Sequence, residues 1–199
     1  MGRKPMHLKV LVAVLSFSIL FITAPFTLAE TVAAAPLGSI VTKGSVQIGN
    51  SFAPTGTTVF AGDKVASTEP ALINFKNGSR IEMTKAAATF NRQGDTLVVK
   101  TDQGLLRFNF DKGEKVLIEA GKFQITGSKD SKHAGVLGLN KDGEIAVSLT
   151  EGTLMALNVA TGVRTEITSS APMSVLNPNS PASAAAAASA GSGRRERPR

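Results

Sequence analysis

The chain has 199 residues, of which 42% are hydrophobic and 19% are charged, a composition typical of one globular domain with a core. Cys, Trp and Tyr are absent, and the lack of Cys excludes disulfides, thiolate zinc sites, cysteine nucleophiles and an acylated lipoprotein anchor. The net charge of +7 lies mainly at the two ends, because Glu30 to Pro178 holds 15 basic and 14 acidic residues, and this nearly neutral segment predicts no nucleic-acid partner.

The first predicted element is a secretory signal peptide at residues 1–29. A short cationic head precedes an apolar run from Val10 to Ile22, and small residues follow that allow cleavage near Ala29 or within Ala33-Ala34-Ala35. This layout is typical of a cleaved leader, so we expect export to the periplasm or cell envelope. The alternative is an uncleaved membrane anchor, although Pro25 interrupts the span that an anchor needs. A mature N-terminus near Glu30 would exclude the anchor.

A linker at residues 30–37 and a single all-β domain at residues 38–178 are predicted next. Apolar residues alternate with polar ones in short runs, and turn residues interrupt them about every ten residues, a spacing typical of many short antiparallel strands in a sandwich, a jelly roll or a short-rung solenoid. No convincing helical stripe occurs. The predicted strands include Ala71 to Phe75, Arg80 to Met83, Thr96 to Thr101, Leu105 to Phe110, Lys115 to Glu119, Phe123 to Thr126, Glu144 to Leu149 and Thr153 to Val159.

Turn residues separate these strands. Asn77-Gly78 is the preferred pair for a type I′ turn, in which both residues take positive φ, and it predicts a hairpin between Ala71–Phe75 and Arg80–Met83. Asp142-Gly143 predicts a second hairpin turn. Further turns are predicted at Gly94-Asp95, Asp102-Gln103-Gly104, Asp111-Lys112-Gly113 and Thr161-Gly162.

Few residues suggest catalysis. Asp63 follows Gly62, and we expect its carboxylate to accept backbone N–H bonds in a tight turn. Asp130 and Ser131 lie close to His133 in the sequence, but a Ser-His-Asp triad is assembled from separated segments on a rigid scaffold. We therefore predict a solvent-exposed loop at His133, no enzyme activity, and no metal or cofactor.

Aromatic residues and the C-terminal segment also bear on partners. Sugar-binding modules usually stack rings on exposed Trp or Tyr, and the Phe residues of this chain fall mostly at alternating strand positions, which predicts core. Residues 179–199 are rich in Ala and Ser and end in an Arg cluster. They show no apolar face, and we predict a disordered tail. The seven Phe after the leader are Phe52, Phe60, Phe75, Phe90, Phe108, Phe110 and Phe123.

The order of these motifs resembles the FecR-type domain, the family named for the ferric-citrate regulator of bacterial envelopes. The similarity extends from about Ser39 to Val175 and implies an exported all-β module of the envelope, in a stand-alone form. It implies no catalytic residues. The segments that carry the resemblance are Gly44 to Ile48, Gly62 to Ser67, Asn77-Gly78-Ser79, Gly104 to Phe110, Lys115 to Gly127 and Glu144 to Leu157.

Two departures from that family limit what is carried over. The family often has an Arg-Gly-Thr turn where this chain has Ser128 to Asn140, and only nine residues precede Val10, too few for an anti-sigma segment. We therefore expect a non-enzymatic module that binds or assembles with an envelope protein or polysaccharide, for example by adding a strand at an exposed sheet edge. The alternative is a membrane-anchored periplasmic sensor or signal-transduction component, held by an uncleaved leader and lacking its own anti-sigma segment.

Overall fold

Strands and turns make up the described part of the chain, which is residues 34–171 and 173–179 of the computed structural model. The all-β prediction is confirmed. The predicted signal peptide and residues 180–199 of the predicted tail lie outside the described residues. The strands are β1 (Pro36–Thr42), β2 (Val46–Ile48), β3 (Ser51–Phe52), β4 (Thr58–Phe60), β5 (Lys64–Ser67), β6 (Ala71–Phe75), β7 (Arg80–Gln93), β8 (Thr96–Phe110), β9 (Lys115–Ala120), β10 (Phe123–Gly127), β11 (His133–Leu139), β12 (Ile145–Glu151), β13 (Thr153–Asn158), β14 (Arg164–Thr168) and β15 (Ser174–Leu176).

These strands pair into one bent sheet that forms two layers. The first layer has the order β4-β1-β6-β7-β8-β11-β12-β15, and the second has the order β3-β2-β5-β7-β8-β9-β10-β13-β14. The inward side chains of both layers join one hydrophobic core. Pairing is antiparallel except between β8 and β9. A solenoid stacks parallel rungs, so the sandwich alternative describes this arrangement better.

The hairpin of β7 and β8 runs through both layers. Each strand contributes one half to the first layer and the other half to the second. The bend between the halves is a bulge, where Lys85 has φ 47° and Gly104 has φ 97°, and where the register shifts between Thr84 and Ala87. The buried Thr101 hydroxyl donates to the Ala87 carbonyl (3.1 Å) beside it.

This bulge corrects the predicted turn at Asp102-Gln103-Gly104. The structure has one continuous strand from Thr96 to Phe110, where two strands and a turn are predicted from the sequence. A glycine at positive φ is common to turns and to bulges, and the local sequence does not distinguish them. The predicted hairpin between Ala71–Phe75 and Arg80–Met83 is confirmed by antiparallel pairing of these strands.

Alternating burial explains why these segments are strands. In β6, Ala71, Ile73 and Phe75 are buried and the residues between them are partly exposed. Each large apolar side chain that leaves water contributes roughly 1.5–3 kcal/mol. Phe75 packs on Phe90 across the core, with ring centroids 5.8 Å apart. The other buried phenylalanines are Phe108, Phe110 and Phe123, whereas Phe52 and Phe60 on the short strands β3 and β4 are exposed.

The first strand begins earlier than the sequence predicts. Pro36 and Leu37, the last residues of the predicted linker, belong to β1, and Leu37 is buried in the core. Proline is tolerated at the first residue of a strand because the N–H it lacks need not join the ladder there. Among the described residues, no helix is long and apolar enough to cross a membrane.

Candidate functional site

Gly62 and Asp63 form a tight turn between β4 and β5. The Asp63 carboxylate accepts a hydrogen bond from the Phe60 N–H (2.8 Å), and Gly62 has φ 91°. The Gly62 N–H donates to the Phe90 carbonyl (2.7 Å), which holds the turn against β7. The carboxylate therefore accepts a hydrogen bond from one backbone amide of its own turn.

Asn77 and Gly78 join β6 to β7, but the turn is not type I′. Only Gly78 has positive φ, at 93°, and its N–H donates to the Phe75 carbonyl (3.1 Å). The Asn77 side-chain oxygen accepts from the Ser79 N–H (3.2 Å). The buried Ser79 hydroxyl in turn accepts from the Asp111 N–H (3.1 Å), so a longer, side-chain-supported loop replaces the two-residue turn.

Asp142 and Gly143 lie in a loop of the same kind between β11 and β12. Gly143 has φ 78° and its N–H donates to the Asn140 carbonyl (3.2 Å). The Asn140 side-chain oxygen accepts from the Asp142 N–H (3.0 Å) and from the Glu144 N–H (2.9 Å). Neither this loop nor the two turns above presents a free, converging set of reactive groups.

His133 is buried, which corrects the prediction of a solvent-exposed loop residue. It is the first residue of β11 and is fully inaccessible. Its Nε2 atom lies 2.8 Å from the Ser128 carbonyl oxygen and 3.4 Å from the Ser131 hydroxyl. The ring fits because Gly127 and Gly152 leave space for it; a Cβ on Gly152 would come within 2.7 Å of its Nδ1 atom.

The surroundings of His133 do not form a catalytic triad. The Asp130 carboxylate accepts from the Ser128 hydroxyl (3.0 Å), whereas the His133 Nδ1 atom, which an orienting acid would contact, has no hydrogen-bond partner among the described residues. Because the Ser128 carbonyl can only accept, Nε2 carries the ring proton and cannot serve as a base for Ser131. The histidine closes the end of the core.

Replacing His133 with alanine is expected to destabilise the domain by about 3 kcal/mol. The change leaves a cavity between two glycines and removes the partner of the Ser128 carbonyl. Urea unfolding measures the loss. Ser131→Ala is the matched control, and we expect a change below about 0.5 kcal/mol because this hydroxyl is exposed. Equal losses in the two variants would contradict the structural role of the ring.

Glu114 is a second buried polar group. Its side chain is 4% exposed and accepts a hydrogen bond from Arg92 Nη2 (2.9 Å), which ties the end of β7 to the loop before β9. Burial raises the pKa of the Glu114 carboxyl above its usual value, while the charge and hydrogen bond of Arg92 oppose the rise. The Arg92 side chain is 34% exposed, so this structural ion pair has one side in contact with solvent.

The outer face of the first layer contains a cleft of about 440 Å³, which we call the first-layer cleft. It crosses β6, β7, β8, β11 and β12. Its floor is low because β11 presents small outward residues there, Ala134 and Val136, beside the long side chains of neighbouring strands. The residues that line the cleft are Leu72, Arg80, Glu82, Arg107, Phe108, Asn109, Ala134, Gly135, Val136 and Thr150.

Arg80, Glu82 and Arg107 supply the charge of this cleft. Glu82 on β7 lies directly opposite Arg107 on β8, and Arg80 lies opposite Asn109, one outward position further along. Arg80 and Arg107 are diagonal neighbours on one face, and such neighbours are roughly 7–8 Å apart. At this spacing, both guanidinium groups can reach the same bound group. In the part of the chain that the structure describes, none of the three charged groups forms a salt bridge.

A second cleft, of about 420 Å³, lies on the second layer. Two lysines, Lys100 and Lys122, share it with two acids, Asp102 and Glu119. Its charges balance, whereas the first-layer cleft has one positive charge in excess. The described residues contain no cluster of His, Asp and Glu suited to a metal ion. The first-layer cleft is therefore the candidate site.

No family model matches this chain, and no curated protein shows significant similarity to it. The first-layer cleft is therefore identified as the candidate site from its geometry alone.

Sequence reasoning did not find Arg80 and Arg107. Each is a charged residue at an outward position of an alternating strand, which is the ordinary pattern of a solvated sheet face. Their proximity depends on the register of β7 and β8, across the bulge at Gly104. Because a turn is predicted at Asp102-Gln103-Gly104, the predicted strands do not extend the register from the Gly94-Asp95 turn to Arg80 and Arg107.

Proposed function

We propose that this domain is a non-enzymatic binding module of the bacterial cell envelope, and that it holds a protein partner in the first-layer cleft. The observation that carries the proposal is the pair Arg80 and Arg107, two exposed guanidinium groups that have no ion-pair partner within residues 34–171 and 173–179 and that lie at an otherwise weakly charged cleft. Guanidinium groups are enriched where proteins recognise one another.

The surroundings of the pair support a binding role. In the first layer, the outward positions of β6, of β7 up to Thr84, of β8 from Leu105, of β11 and of β12 up to Thr150 carry only apolar, small or uncharged polar side chains besides Arg80, Glu82 and Arg107. A sheet face that meets water alone is usually more charged. Exposed Leu105 and Val175 extend the apolar area beside the cleft.

A protein partner is favoured over a glycan. None of the outward residues of β6, β11 and β12 is aromatic, and Phe108, which borders the cleft, is 2% exposed. Glycan sites usually present a ring on which a sugar stacks. Mixed apolar and guanidinium groups are the more usual complement of a peptide segment.

The envelope location in this proposal comes from the sequence. The predicted leader at residues 1–29 and the resemblance to the FecR-type domain from Ser39 to Val175 both favour an exported module. A retained leader would make the same cleft the input of a membrane-anchored sensor, which is the alternative function. The binding chemistry of the cleft is the same in both.

Photo-crosslinking from the cleft tests the proposed function. The photoreactive residue p-benzoylphenylalanine replaces Val136, which lines the cleft, in the bacterium that expresses the chain. We expect discrete protein adducts after irradiation, because a side chain at Val136 would touch the bound partner. The matched control places the same residue at the exposed Glu166 on β14, where we expect no such adduct. Identical adduct patterns, or none from Val136, would contradict the proposal.

A further inference from the structure

The residues across the first-layer cleft form an ordered row. Leu72, Glu82, Arg107 and Val136 lie directly opposite one another on the neighbouring strands β6, β7, β8 and β11. The row therefore has an apolar side chain at each end and a charged pair in the middle. Arg80 stands beside the middle of the row, on the same face.

The spacing of this row matches an extended peptide that crosses the strands. Neighbouring strands are about 4.8 Å apart, so Leu72 and Val136 are separated by about 14 Å along the row. Residues i and i+4 of an extended chain are about 13 Å apart, and residues i, i+2 and i+4 point to the same side. A peptide laid across the cleft can thus direct three alternate side chains at the row.

The charges decide what the middle side chain is. Arg80 and Arg107 have no salt-bridge partner among the described residues, and together they outnumber Glu82. A guanidinium group presents a planar set of donors that fits the two oxygens of a carboxylate. A basic peptide side chain at this position would be repelled by Arg80 and Arg107. A second acidic side chain on the peptide would be repelled by Glu82.

We propose, building on the function proposed above, that the first-layer cleft binds an extended peptide segment of the pattern apolar-x-acidic-x-apolar. The Asp or Glu in the centre is held by Arg80 and Arg107. The two apolar side chains pack on Leu72 and on Val136, and Ala134 leaves room for the peptide backbone between the long side chains.

Peptide selection tests this proposal. Random heptapeptides displayed on phage are the probe, and the whole chain is the target. We expect enriched sequences with one acidic residue two positions from an apolar residue on each side. Arg80→Gln and Arg107→Gln are each expected to weaken binding of the selected peptides about tenfold or more, because a charge-assisted contact is lost. Arg164→Gln on β14 is the matched control, and its affinity should not change.

A second variant separates this inference from the proposed function. Ala134→Phe fills the cleft and keeps both arginines. If Ala134→Phe does not unfold cooperatively on heating, Val136→Phe is used as the filled variant instead. If the selected peptides are neutral or basic and lose binding only in the filled variant, the acidic pattern is overturned. The proposed binding function is then retained. Peptides that bind the filled variant as tightly as the unchanged chain would overturn both.

Alginate, an acidic polysaccharide, is the probe for the other occupant, with neutral dextran beside it. Failure of the peptide library to yield any enriched sequence overturns the inference. If alginate then binds in a manner that depends on Arg80 and Arg107, the cleft is a site for an acidic glycan. If alginate does not bind either, the proposed function fails with the inference.

Discussion

Replacing Gly104 with alanine is expected to destabilise the domain by about 4 kcal/mol. Gly104 has φ 97°, where a side chain costs about 1–2 kcal/mol. An added Cβ would also come within 2.3 Å of the Lys85 carbonyl oxygen and 2.5 Å of Ala86 Cα. These are backbone atoms of the partner strand, so the bulge cannot move aside without disturbing both layers. Urea unfolding of the variant measures the loss.

Gly94→Ala is the matched control for this change. Gly94 also has positive φ, at 60°, but no atom lies within 4 Å of the position that its Cβ would take. We expect a loss of about 1 kcal/mol, due to backbone strain alone. The difference between the two variants isolates the close approach at the bulge. Equal losses would show that Gly104 is needed only for its dihedral angle.

Replacing Arg92 with methionine is expected to cost about 2–3 kcal/mol at neutral pH. The change leaves the Glu114 carboxylate, 4% exposed, without the hydrogen bond that Arg92 donates. We place the cost below the roughly 3–5 kcal/mol of a fully buried ion pair because the Arg92 side chain is 34% exposed and water screens it. The loss is measured by urea unfolding at a series of pH values.

The pH dependence of this variant has a definite sign. Burial raises the pKa of the Glu114 carboxyl in the folded protein, so the folded state binds this proton more tightly than the unfolded state does. The contribution of Glu114 to stability is therefore greatest below its unfolded pKa and is lost as the pH rises through its folded pKa. Removing Arg92 takes away the causes that lower the pKa, so the pH range of the loss extends upward.

The expected result is a loss that is small at about pH 4 and reaches its full size at neutral pH. The double variant Arg92→Met with Glu114→Gln is the control, because Gln carries no ionisable group. Its stability relative to the unchanged chain should vary much less with pH. A loss in Arg92→Met of the same size at both pH values would exclude the buried carboxylate as its cause.

The sequence predicted the fold class because burial alternates in most strands. Ala71, Ile73 and Phe75 share one face of β6, and this period-two pattern depends only on local chain geometry. The antiparallel hairpin of β6 and β7 follows from the short loop between them. The start of β1 is not predicted, because Pro36 and Leu37 carry no alternating pattern that separates them from a linker.

The predicted local structure is wrong where one residue type is common to two kinds of local structure. Glycine at positive φ occurs in turns and in bulges, and Gly104 belongs to a bulge. Asn77-Gly78 predicts a type I′ turn, but the Asn77 side-chain oxygen accepts from the Ser79 N–H and the Ser79 hydroxyl accepts from the Asp111 N–H, which supports a longer loop. His133 follows a polar run, and its burial depends on the space left by two distant glycines.

The candidate site depends on the register in which β7 and β8 pair. A regular hairpin that turns at Gly94 and Asp95 places Gln93 opposite Thr96 and, when continued, Arg80 opposite Asn109. The sequence contains this turn signal. It does not reveal that the strands continue through the bulge, so the row from Leu72 to Val136 was not predicted.

The continuity of β7 and β8 also governs how the molecule opens. Since the two layers share these strands, neither layer can detach without breaking the backbone ladder of the other. Thermal fluctuations that expose amides to solvent exchange are then confined to short peripheral strands such as β3 and β15. The amides that β7 and β8 pair between them exchange only when the whole domain unfolds as one cooperative unit, whereas the Phe90 N–H, which donates to the Asp63 carbonyl (3.1 Å), also exchanges when the turn before β5 opens.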